Sequence, residues 1–410
     1  MRIAMFTNLY LPRIGGVSMS VERFAAACRQ RGHAVLVVAP TFPGRYEDDG
    51  GTLRVPALQN FNGSKLSVAL PSGARLGRQL DAFAPDLVHS HHPFLLGDAA
   101  ARWARSRRVP LVYTHHTMYE HYTHYIAKDS PVMREYVIRL ATGYMAFCQR
   151  VIVPSESVRD ILRGRGVTAP MNVVPTGVQA ETFADGDGPA GRRRLHLPPD
   201  APVLGHVGRL TPEKNLPFLA TTLVAALRRR RDAWALVVGE GPARKATWDV
   251  LADAGLARRA VFPGPLRGRE LVDAYHAMDA FVFASKSETQ GMVLAEALAA
   301  GRPVVALEAP GAREIVRDGV NGRLVHEEDP ATFAEAMLAL ADRPAAQREA
   351  LRQACRRSAR AFTLEACAER MLDAYRRTRS AGVPATSPAP DTRWRQLRRA
   401  LGRQWEIWSN

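Results

Sequence analysis

The sequence has few cysteines, and none of them is spaced as a metal or redox motif requires. The 410 residues include four, Cys28, Cys148, Cys355 and Cys367, without a C-x-x-C pair. This excludes a disulfide scaffold and predicts scattered, reduced, buried thiols. No apolar run reaches the roughly 18 residues that a membrane-spanning helix needs. Residues 1–10 lack the apolar core and cleavage site of a signal peptide, so the expected compartment is the cytoplasm.

Acidic residues are scarce relative to basic ones. The chain holds 56 Lys and Arg against 40 Asp and Glu, a net charge of +16, and residues 1–175 alone hold 21 against 12. Such a charge favours an anionic partner, which could be nucleic acid, an anionic lipid surface or a phosphorylated substrate. The sequence carries no RNA-recognition motif and no base-stacking aromatic array, so we expect no nucleic-acid partner. The length fits two domains of about 180 residues each.

The most informative stretch is residues 285–301. The apolar run that precedes it, residues 280–284, predicts a buried parallel strand, and Gly291 begins an Ala/Leu-rich helix that ends at Gly301. Glu288 is thus predicted in the strand-to-helix loop and Glu296 inside the helix. In an open α/β sheet, ligands bind at the carboxyl ends of the strands.

This loop combines an anion site with two carboxylates. The free N–H groups at the helix start, on Gly291, Met292 and Val293, can receive a phosphate. Glu288 and Glu296 cannot be phosphate ligands, because like charges repel. They suit sugar hydroxyls, which donate hydrogen bonds to carboxylates.

Residues 203–215 predict a second phosphate-binding segment. The predicted strand 203–207 ends at Gly208, and Arg209 and Lys214 follow around a turn. A leaving diphosphate gains charge as its bond breaks. Two fixed cations aimed at it stabilise the transition state more than the ground state.

The first half begins with a Rossmann-like unit. A strand at residues 2–6, a Gly-Gly loop, a helix predicted over 20–31 and a strand at 34–39 follow one another. The unit lacks G-x-G-x-x-G, so it does not carry the dinucleotide fingerprint. The paired glycines Gly15 and Gly16 allow close backbone approach to a ligand.

Histidines cluster in the first half. The cluster comprises His89, His91, His92, His115, His116, His121 and His124. Zinc binding is one interpretation, because imidazole ligates zinc. It is disfavoured because no H-E-x-x-H motif and no neighbouring cysteine accompany them, so we predict no metal site.

The acidic pair and its surroundings resemble the donor-sugar motif of retaining family-4 glycosyltransferases. The motif here reads S-x-S-E-x-x-G-x-x-x-x-E-A-x-A-x-G, and G-R-L-x-x-E-K-N closely matches the family's diphosphate clamp. The strand P-x-V-x-T-x-H, ending at His116, is a third match. The resemblance covers roughly residues 1–375. It implies the GT-B arrangement, two Rossmann-like α/β domains facing across a cleft.

The resemblance also implies roles. Glu288 would hold the transferred sugar and Glu296 the nucleotide ribose. His116 would contact the transferred sugar and favour its developing positive charge, and Arg209 and Lys214 would neutralise the leaving group. The donor-binding residues implied are Gly15, Gly16, Val17, Gly208, Arg209, Lys214, Glu240, Gly241, Phe262, Leu266, Glu288, Gly291, Met292, Val293 and Glu296.

One segment points to a particular acceptor. Residues 114–126 contain HTMYEHYTHY, which resembles a segment of bacterial diacylglycerol glucosyltransferases. Tyr and His rings sit well at a lipid headgroup interface, so Tyr119, Tyr122 and His124 are predicted to contact acceptor or membrane. The alternative is a tyrosine-rich segment packed under the cleft.

The C-terminal tail offers a second membrane contact. Residues 380–390 are a low-complexity linker, and 391–410 predict a basic amphipathic helix. Trp394, Trp405 and Trp408 share its apolar face, with arginines around them, as in helices that lie in a membrane interface. Docking onto the protein body or a partner is the alternative.

The predicted organisation is an acceptor domain at 1–178 and a nucleotide-sugar domain at 179–375, whose last helices could cross back. Residues 181–200 are predicted as an exposed linker. The predicted activity is retaining transfer of a hexose, with glucose favoured, to a lipid such as diacylglycerol. The donor would be a nucleoside diphosphate sugar, with UDP-glucose favoured over GDP sugars, and no cofactor is required. The enzyme would associate peripherally with the inner face of the plasma membrane. Alternatives are a soluble or polysaccharide acceptor, a sugar-nucleotide epimerase or a nucleic-acid-binding protein.

Overall fold

The computed structural model describes residues 1–44, 50–59, 67–70, 73–121, 123 and 130–383. The chain forms two compact units. Of the described residues, the first contains those up to 175 together with 367–383, and the second contains residues 176–366. Predicted site residues Tyr122, His124, Trp394, Trp405 and Trp408 lie outside the described residues.

The first unit is built on a seven-stranded parallel sheet with the order β3-β2-β1-β6-β7-β8-β9. The order reverses between β1 and β6, which is the doubly wound switch point. Its strands are β1 Arg2–Phe6, β2 Ala34–Pro40, β3 Thr52–Val55, β6 Leu87–Ser90, β7 Leu111–Thr114, β8 Arg150–Val153 and β9 Met171–Val173, with a hairpin of β4 Ala57–Leu58 and β5 Val68–Ala69. Its helices are α1 Gly16–Gln30, α2 Gly73–Phe83, α3 Leu96–Arg107, α4 Pro131–Met145, α5 Glu156–Gly164 and most of α14 Leu364–Ala381.

Both faces of this sheet are covered. Along β1, Ile3 and Met5 enter one apolar cluster while Ala4 and Phe6 enter another. Successive side chains of a strand point to opposite faces, so a continuous apolar run is what a doubly covered strand requires. Tyr375 of α14 is fully buried in the first of these clusters.

The second unit repeats the design with six parallel strands in the order β12-β11-β10-β13-β14-β15. Its switch point lies between β10 and β13, the strands that precede the two predicted donor loops. The strands are β10 Val203–Val207, β11 Trp234–Val238, β12 Ala260–Gly264, β13 Ala280–Phe283, β14 Val304–Leu307 and β15 Gly322–Val325. The helices are α6 Ala180–Ala184, α7 Gly188–Arg194, α8 Leu216–Arg229, α9 Arg244–Asp253, α10 Gly268–Ala277, α11 Met292–Ala299, α12 Pro330–Ala341 and α13 Ala345–Ala359. The predicted fold class, two Rossmann-like domains, is confirmed.

The predicted linker at 181–200 is wrong. It forms α6 and α7, which pack against α10. A Cβ added to Gly191 would lie 2.4 Å from the Asp273 carbonyl oxygen, so glycine permits the close approach. Asp187 caps α7 by accepting from Ala190 N at 2.9 Å. The Gly and Asp residues that suggested a flexible segment instead serve capping and helix packing.

Three smaller outcomes concern the start of α1, the cysteines and the apolarity of the helices. The helix predicted from Ser20 begins four residues earlier, at Gly16, so the Gly-Gly pair lies at the helix start. All four cysteines are free and buried, as predicted. Within the described ranges, no helix combines the length and apolarity that a bilayer crossing requires.

Candidate functional site

Arg209 and Lys214 lie on the loop that follows β10, at the carboxyl edge of the second sheet. The loop continues the sheet, because Gly208 N donates to the Val238 carbonyl oxygen at 3.0 Å. Arg209 is 60% exposed along its side chain and donates to Glu213 Oε1 at 3.2 Å. Glu213 is nearly buried, with 5% of its side chain exposed. The guanidinium is therefore tethered at one end and open to solvent at the other.

The loop after β11 packs directly on this segment. Gly239 has a φ of +137°, and a Cβ there would lie 1.8 Å from the Gly208 carbonyl oxygen. At Gly241, with a φ of +156°, a Cβ would lie 2.3 Å from the Leu210 carbonyl oxygen. Only glycine fits at these two positions. This contact brings the exposed Glu240 beside the Arg209 loop, where Leu210 N donates to the Glu240 carbonyl oxygen at 2.9 Å.

Lys214 and Glu288 form an ion pair. The Lys214 Nζ donates to Glu288 Oε1, and the two side chains are only 13% and 16% exposed. Sequence reasoning assigned them to a phosphate and to a sugar separately, and did not foresee that they touch. The pair places a cation and a hydroxyl-accepting carboxylate side by side at the switch point of the sheet.

Glu296 is held more deeply. It lies in α11 with 9% exposure, and Tyr275 OH donates to its Oε2 at 2.9 Å. The fully buried Tyr275 comes from α10 and was missed by sequence reasoning. Its only sequence signal is a tyrosine five positions before the first residue of β13.

The start of α11 has the geometry of an anion site. Gly291 is its N-cap with a φ of +70°, and Met292 and Val293 are the first helical residues, half-buried. The first N–H groups of a helix have no partner within that helix. Gly311, also missed, packs on this loop, because a Cβ there would lie 2.7 Å from Glu288 Cβ. The preceding proline makes a Pro-Gly turn, which was the available signal.

Phe262 and Leu266 lie at and just beyond the edge strand β12, and both are half-buried. The Phe262 ring meets Trp248 edge-on with centroids 5.4 Å apart, and the Arg244 guanidinium lies 5.9 Å from its centroid. These contacts fix the ring, and its role in donor binding stays a prediction.

In the first unit, the histidines gather where β6 and β7 end. His91 Nδ1 lies 2.9 Å from His116 Nε2. His89 contacts Thr114 Oγ1 at 2.7 Å and Tyr375 OH at 2.6 Å, and Asn8 N donates to His92 Nδ1 at 3.1 Å. Most of the cluster is therefore engaged in internal hydrogen bonds. Among the described residues, no group of His, Cys, Asp and Glu could hold a metal ion.

His115 and His116 contact different neighbours. His115 lies against Tyr113 and Tyr119, whereas His116 stacks on His91 with ring centroids 5.2 Å apart. Burial lowers the pKa of His116 to about 3, so its half-buried imidazole is neutral at physiological pH. A neutral ring suits a group placed beside developing positive charge.

Two further predicted elements lie in this unit. Gly15 and Gly16 are exposed at the start of α1, and a Cβ on Gly16 would meet nothing within 4 Å. Val17, next to them, is half-buried. The Tyr119 ring packs edge-on against Phe94 with centroids 5.6 Å apart, as the packed alternative for this segment expects.

We expect the buried histidines to weaken the first unit in acid. Burial, the main cause in each case, lowers the pKa of His89, His92, His115 and His116 to about 3, and that of His91 well below its usual value. Between pH 6.5 and about 3 the unfolded chain therefore binds more protons than the native one. The free energy of unfolding must fall as pH falls, by up to about 1.4 kcal/mol per pH unit for each such histidine.

Hydrogen exchange measured by mass spectrometry checks this. After correction for intrinsic rates, the opening free energy of β6 and β7 should drop between pH 7.5 and pH 5.5. In β14 of the other unit it should drop less, because burial lowers the pKa of fewer histidines there, His206 and His276. A drop in β14 as large as that in β6 and β7 would contradict the assignment.

The comparisons with known proteins agree with the fold. The family model described as Glycosyltransferase Family 4 matches residues 14–182, and the model described as Glycosyl transferases group 1 matches residues 201–343. The chain therefore belongs to glycosyltransferase family 4, and it is a hexosyltransferase.

Particular relatives are similar over most of their length. An alpha-monoglucosyldiacylglycerol synthase of Streptococcus pneumoniae is 29% identical over 351 residues, covering 83% of this chain and 79% of that protein. A GDP-mannose-dependent alpha-mannosyltransferase of Mycolicibacterium smegmatis is 31% identical over 381 residues, covering 92% and 97%. The structure of Anabaena Alr3699/HepE in complex with UDP superposes with a TM-score of 0.73 at 21% identity, covering 92% of this chain and 100% of that one. One relative is named for a diacylglycerol product and the other for a GDP-mannose donor, so together they show the class of enzyme. The solved structure shows the GT-B fold.

Proposed function

We propose that this enzyme transfers a hexose, with retention of configuration, from a nucleoside diphosphate sugar to a hydroxyl of a membrane lipid. UDP-glucose is the favoured donor and diacylglycerol the favoured acceptor. The observation that carries the proposal is the contact between Lys214 and Glu288, with Arg209 on the same loop. A cation for phosphate and a carboxylate for sugar hydroxyls meet at the ligand-binding edge of one sheet.

Each half of the donor has a matching group in the second unit. Arg209 and Lys214 would neutralise the diphosphate, together with the N–H groups of Gly291, Met292 and Val293. Glu288 would accept hydrogen bonds from the transferred sugar. Glu296, oriented by Tyr275, would accept them from the ribose hydroxyls.

In the reaction we propose, the leaving group departs from the same face of the sugar that the acceptor attacks. The bond between the sugar C1 and the diphosphate oxygen breaks, and a bond from the acceptor oxygen to C1 forms on the same face. The acceptor proton passes to a phosphate oxygen of the leaving group. No carboxylate of the predicted set is assigned as a covalent nucleophile. Charge compensation falls to Arg209 and Lys214, so the scheme requires no divalent metal.

The choice of a lipid acceptor rests on three observations. Residues 114–126 resemble the diacylglycerol glucosyltransferase segment, and a glucosyldiacylglycerol synthase is among the relatives. The chain also has a net charge of +16, which favours an anionic membrane. In this scheme residues 1–178 receive the acceptor, residues 179–375 hold the donor, and the enzyme works peripherally at the inner membrane face. The mannosyltransferase relative supports the alternative of a GDP-mannose donor.

Incubation of the full chain with labelled UDP-glucose or GDP-mannose and a membrane lipid extract tests this. With UDP-glucose we expect label in the organic phase, in a lipid product from which an α-glucosidase releases labelled glucose. Label only in water-soluble oligosaccharide would favour the soluble acceptor. Conversion of the nucleotide sugar without any acceptor would indicate an epimerase.

Vesicle flotation separates the membrane contacts. The full chain and residues 1–380 should both float with anionic vesicles, the shorter form more weakly, because it lacks the Trp/Arg tail. If neither form binds vesicles, the membrane assignment fails even if the transferase activity stands.

A further inference from the structure

Two loops carry the three predicted donor-contacting groups Arg209, Lys214 and Glu288. Each leaves a central strand of the second sheet, β10 or β13, and each is eight residues long, 208–215 and 284–291. The first includes a 3₁₀ turn at Pro212–Lys214. A diphosphate sugar can be gripped only if the two loops keep a fixed spacing, because small displacements of positioned groups cost much of their effect. The contacts that fix this spacing should therefore affect donor binding.

Hydrogen bonds between the two loops fix part of this spacing. Ser287 Oγ donates to the Glu213 carbonyl oxygen at 2.9 Å, and Ser285 Oγ to the same oxygen at 3.5 Å. Asn215 Nδ2 donates to the Ala284 carbonyl oxygen at 3.3 Å. The serines that flank Lys286 thus hold the first loop from one side.

A third segment of the chain also contacts both loops. Glu328 lies between β15 and α12, outside both loops and outside every motif noted in the sequence. Its Oε1 accepts from Asn215 Nδ2 at 2.6 Å, and its Oε2 accepts from Lys286 Nζ. One carboxylate therefore joins the end of the first loop to the second loop.

The residue that Glu328 holds is conformationally unusual. Asn215 directly follows Lys214, has a φ of 56° and a ψ of 42°, and is the N-cap of α8. Asparagine visits this left-handed region more readily than most residues, but an extended or right-handed conformation competes. The hydrogen bond to Glu328 favours the observed conformation, which sets the direction in which Lys214 leaves the backbone.

We propose that Glu328 is a positioning residue for the donor site, which keeps the Arg209–Lys214 loop in register with the Glu288 loop through Asn215 and Lys286. It touches no substrate in this scheme and acts through the two loops. The hydrogen bond to Lys286, followed by that to Asn215, lowers the pKa of Glu328, so it is ionised and competent for both contacts at neutral pH. The inference rests on the proposed function for its assay.

Glu328→Ala tests this against Glu327→Ala, the exposed neighbouring glutamate. For the first variant we expect the donor KM to rise about tenfold and kcat to fall about tenfold, with the acceptor KM within about twofold. Glu327→Ala should match the wild type in all three constants. Both variants should keep the wild-type melting temperature within a few degrees, because Glu328 is an exposed surface residue.

A double-mutant cycle makes the test specific. Lys286→Ala should have a smaller effect than Glu328→Ala, because it removes only one of the two Glu328 contacts. The double variant should be no worse than Glu328→Ala alone, because both substitutions remove the same Lys286–Glu328 contact. Glu328→Gln retains an acceptor for Asn215 but no charge for Lys286, so its donor KM should fall between those of the wild type and Glu328→Ala. Additive effects, or equal changes in donor and acceptor KM, would overturn the proposal.

Titration with UDP and with GDP separates this inference from the proposed function. If the wild type binds nucleotide and Glu328→Ala binds it equally well, the positioning role is wrong while the transferase assignment stands. If the wild type binds no nucleotide and transfers no sugar, the proposed function itself is wrong.

Discussion

Replacing Lys214 with alanine should lower kcat/KM for the nucleotide-sugar donor at least a hundredfold. The ammonium is expected to meet the diphosphate as its charge grows, and removal of one such transition-state contact typically costs two to three powers of ten. The structure adds a second reason. Lys214 is paired with Glu288 at a site where both side chains are largely shielded from solvent, so its loss also leaves that carboxylate without this cation.

Arg209→Ala should have an effect of similar size. Arg209 is mostly exposed, but its ion-pair partner Glu213 is nearly buried. The substitution should therefore lower the melting temperature as well as kcat, because a buried carboxylate loses this cation. Steady-state kinetics with thermal denaturation check both variants. Lys245→Ala is the matched control, because this lysine is 85% exposed on α9. Turnover like that of the wild type in either variant would remove that residue from the diphosphate site.

Replacing Glu288 with glutamine should also lower activity strongly. Glutamine keeps the size and one carbonyl acceptor but removes the charge that strengthens hydrogen bonds from sugar hydroxyls. We expect kcat to fall at least a hundredfold, as a charge contact made in the transition state requires. Binding of the nucleoside diphosphate, which lacks the sugar, should weaken far less or even improve, because Lys214 is released from its pair.

That split between sugar and nucleotide is the informative readout. Calorimetric titration with UDP and GDP should be compared with turnover of the intact donor, with Glu335→Gln on the exposed face of α12 as the control. A Glu288→Gln variant that loses nucleotide affinity and turnover in equal measure would contradict a sugar-specific role.

Much of the second unit was predictable from local patterns. The apolar run of β13, the glycine at its loop end and the Ala/Leu helix of α11 each determine their own conformation, so Glu288 and Glu296 fell where expected. The same holds for β10. Such features depend on neighbours in sequence, where periodicity and turn chemistry act directly.

What sequence reasoning missed is long-range. The Lys214–Glu288 pair joins residues 74 positions apart, and the Asn215–Glu328 contact joins residues 113 apart. No local rule relates such positions. Segment 181–200 shows the reverse failure, because its Gly, Pro and Asp content is equally typical of a linker and of short, capped helices. Packing against α10 decided between them, and composition could not.

The most direct test is a crystal structure of the full chain with an intact nucleotide sugar, or with its nucleoside diphosphate and the free sugar. We expect the diphosphate within hydrogen-bond distance of Arg209 and Lys214, and a sugar hydroxyl on Glu288 after its separation from Lys214. We also expect the ribose hydroxyls on Glu296. A ligand bound away from these four residues, with the Lys214–Glu288 pair intact, would contradict the proposed donor site.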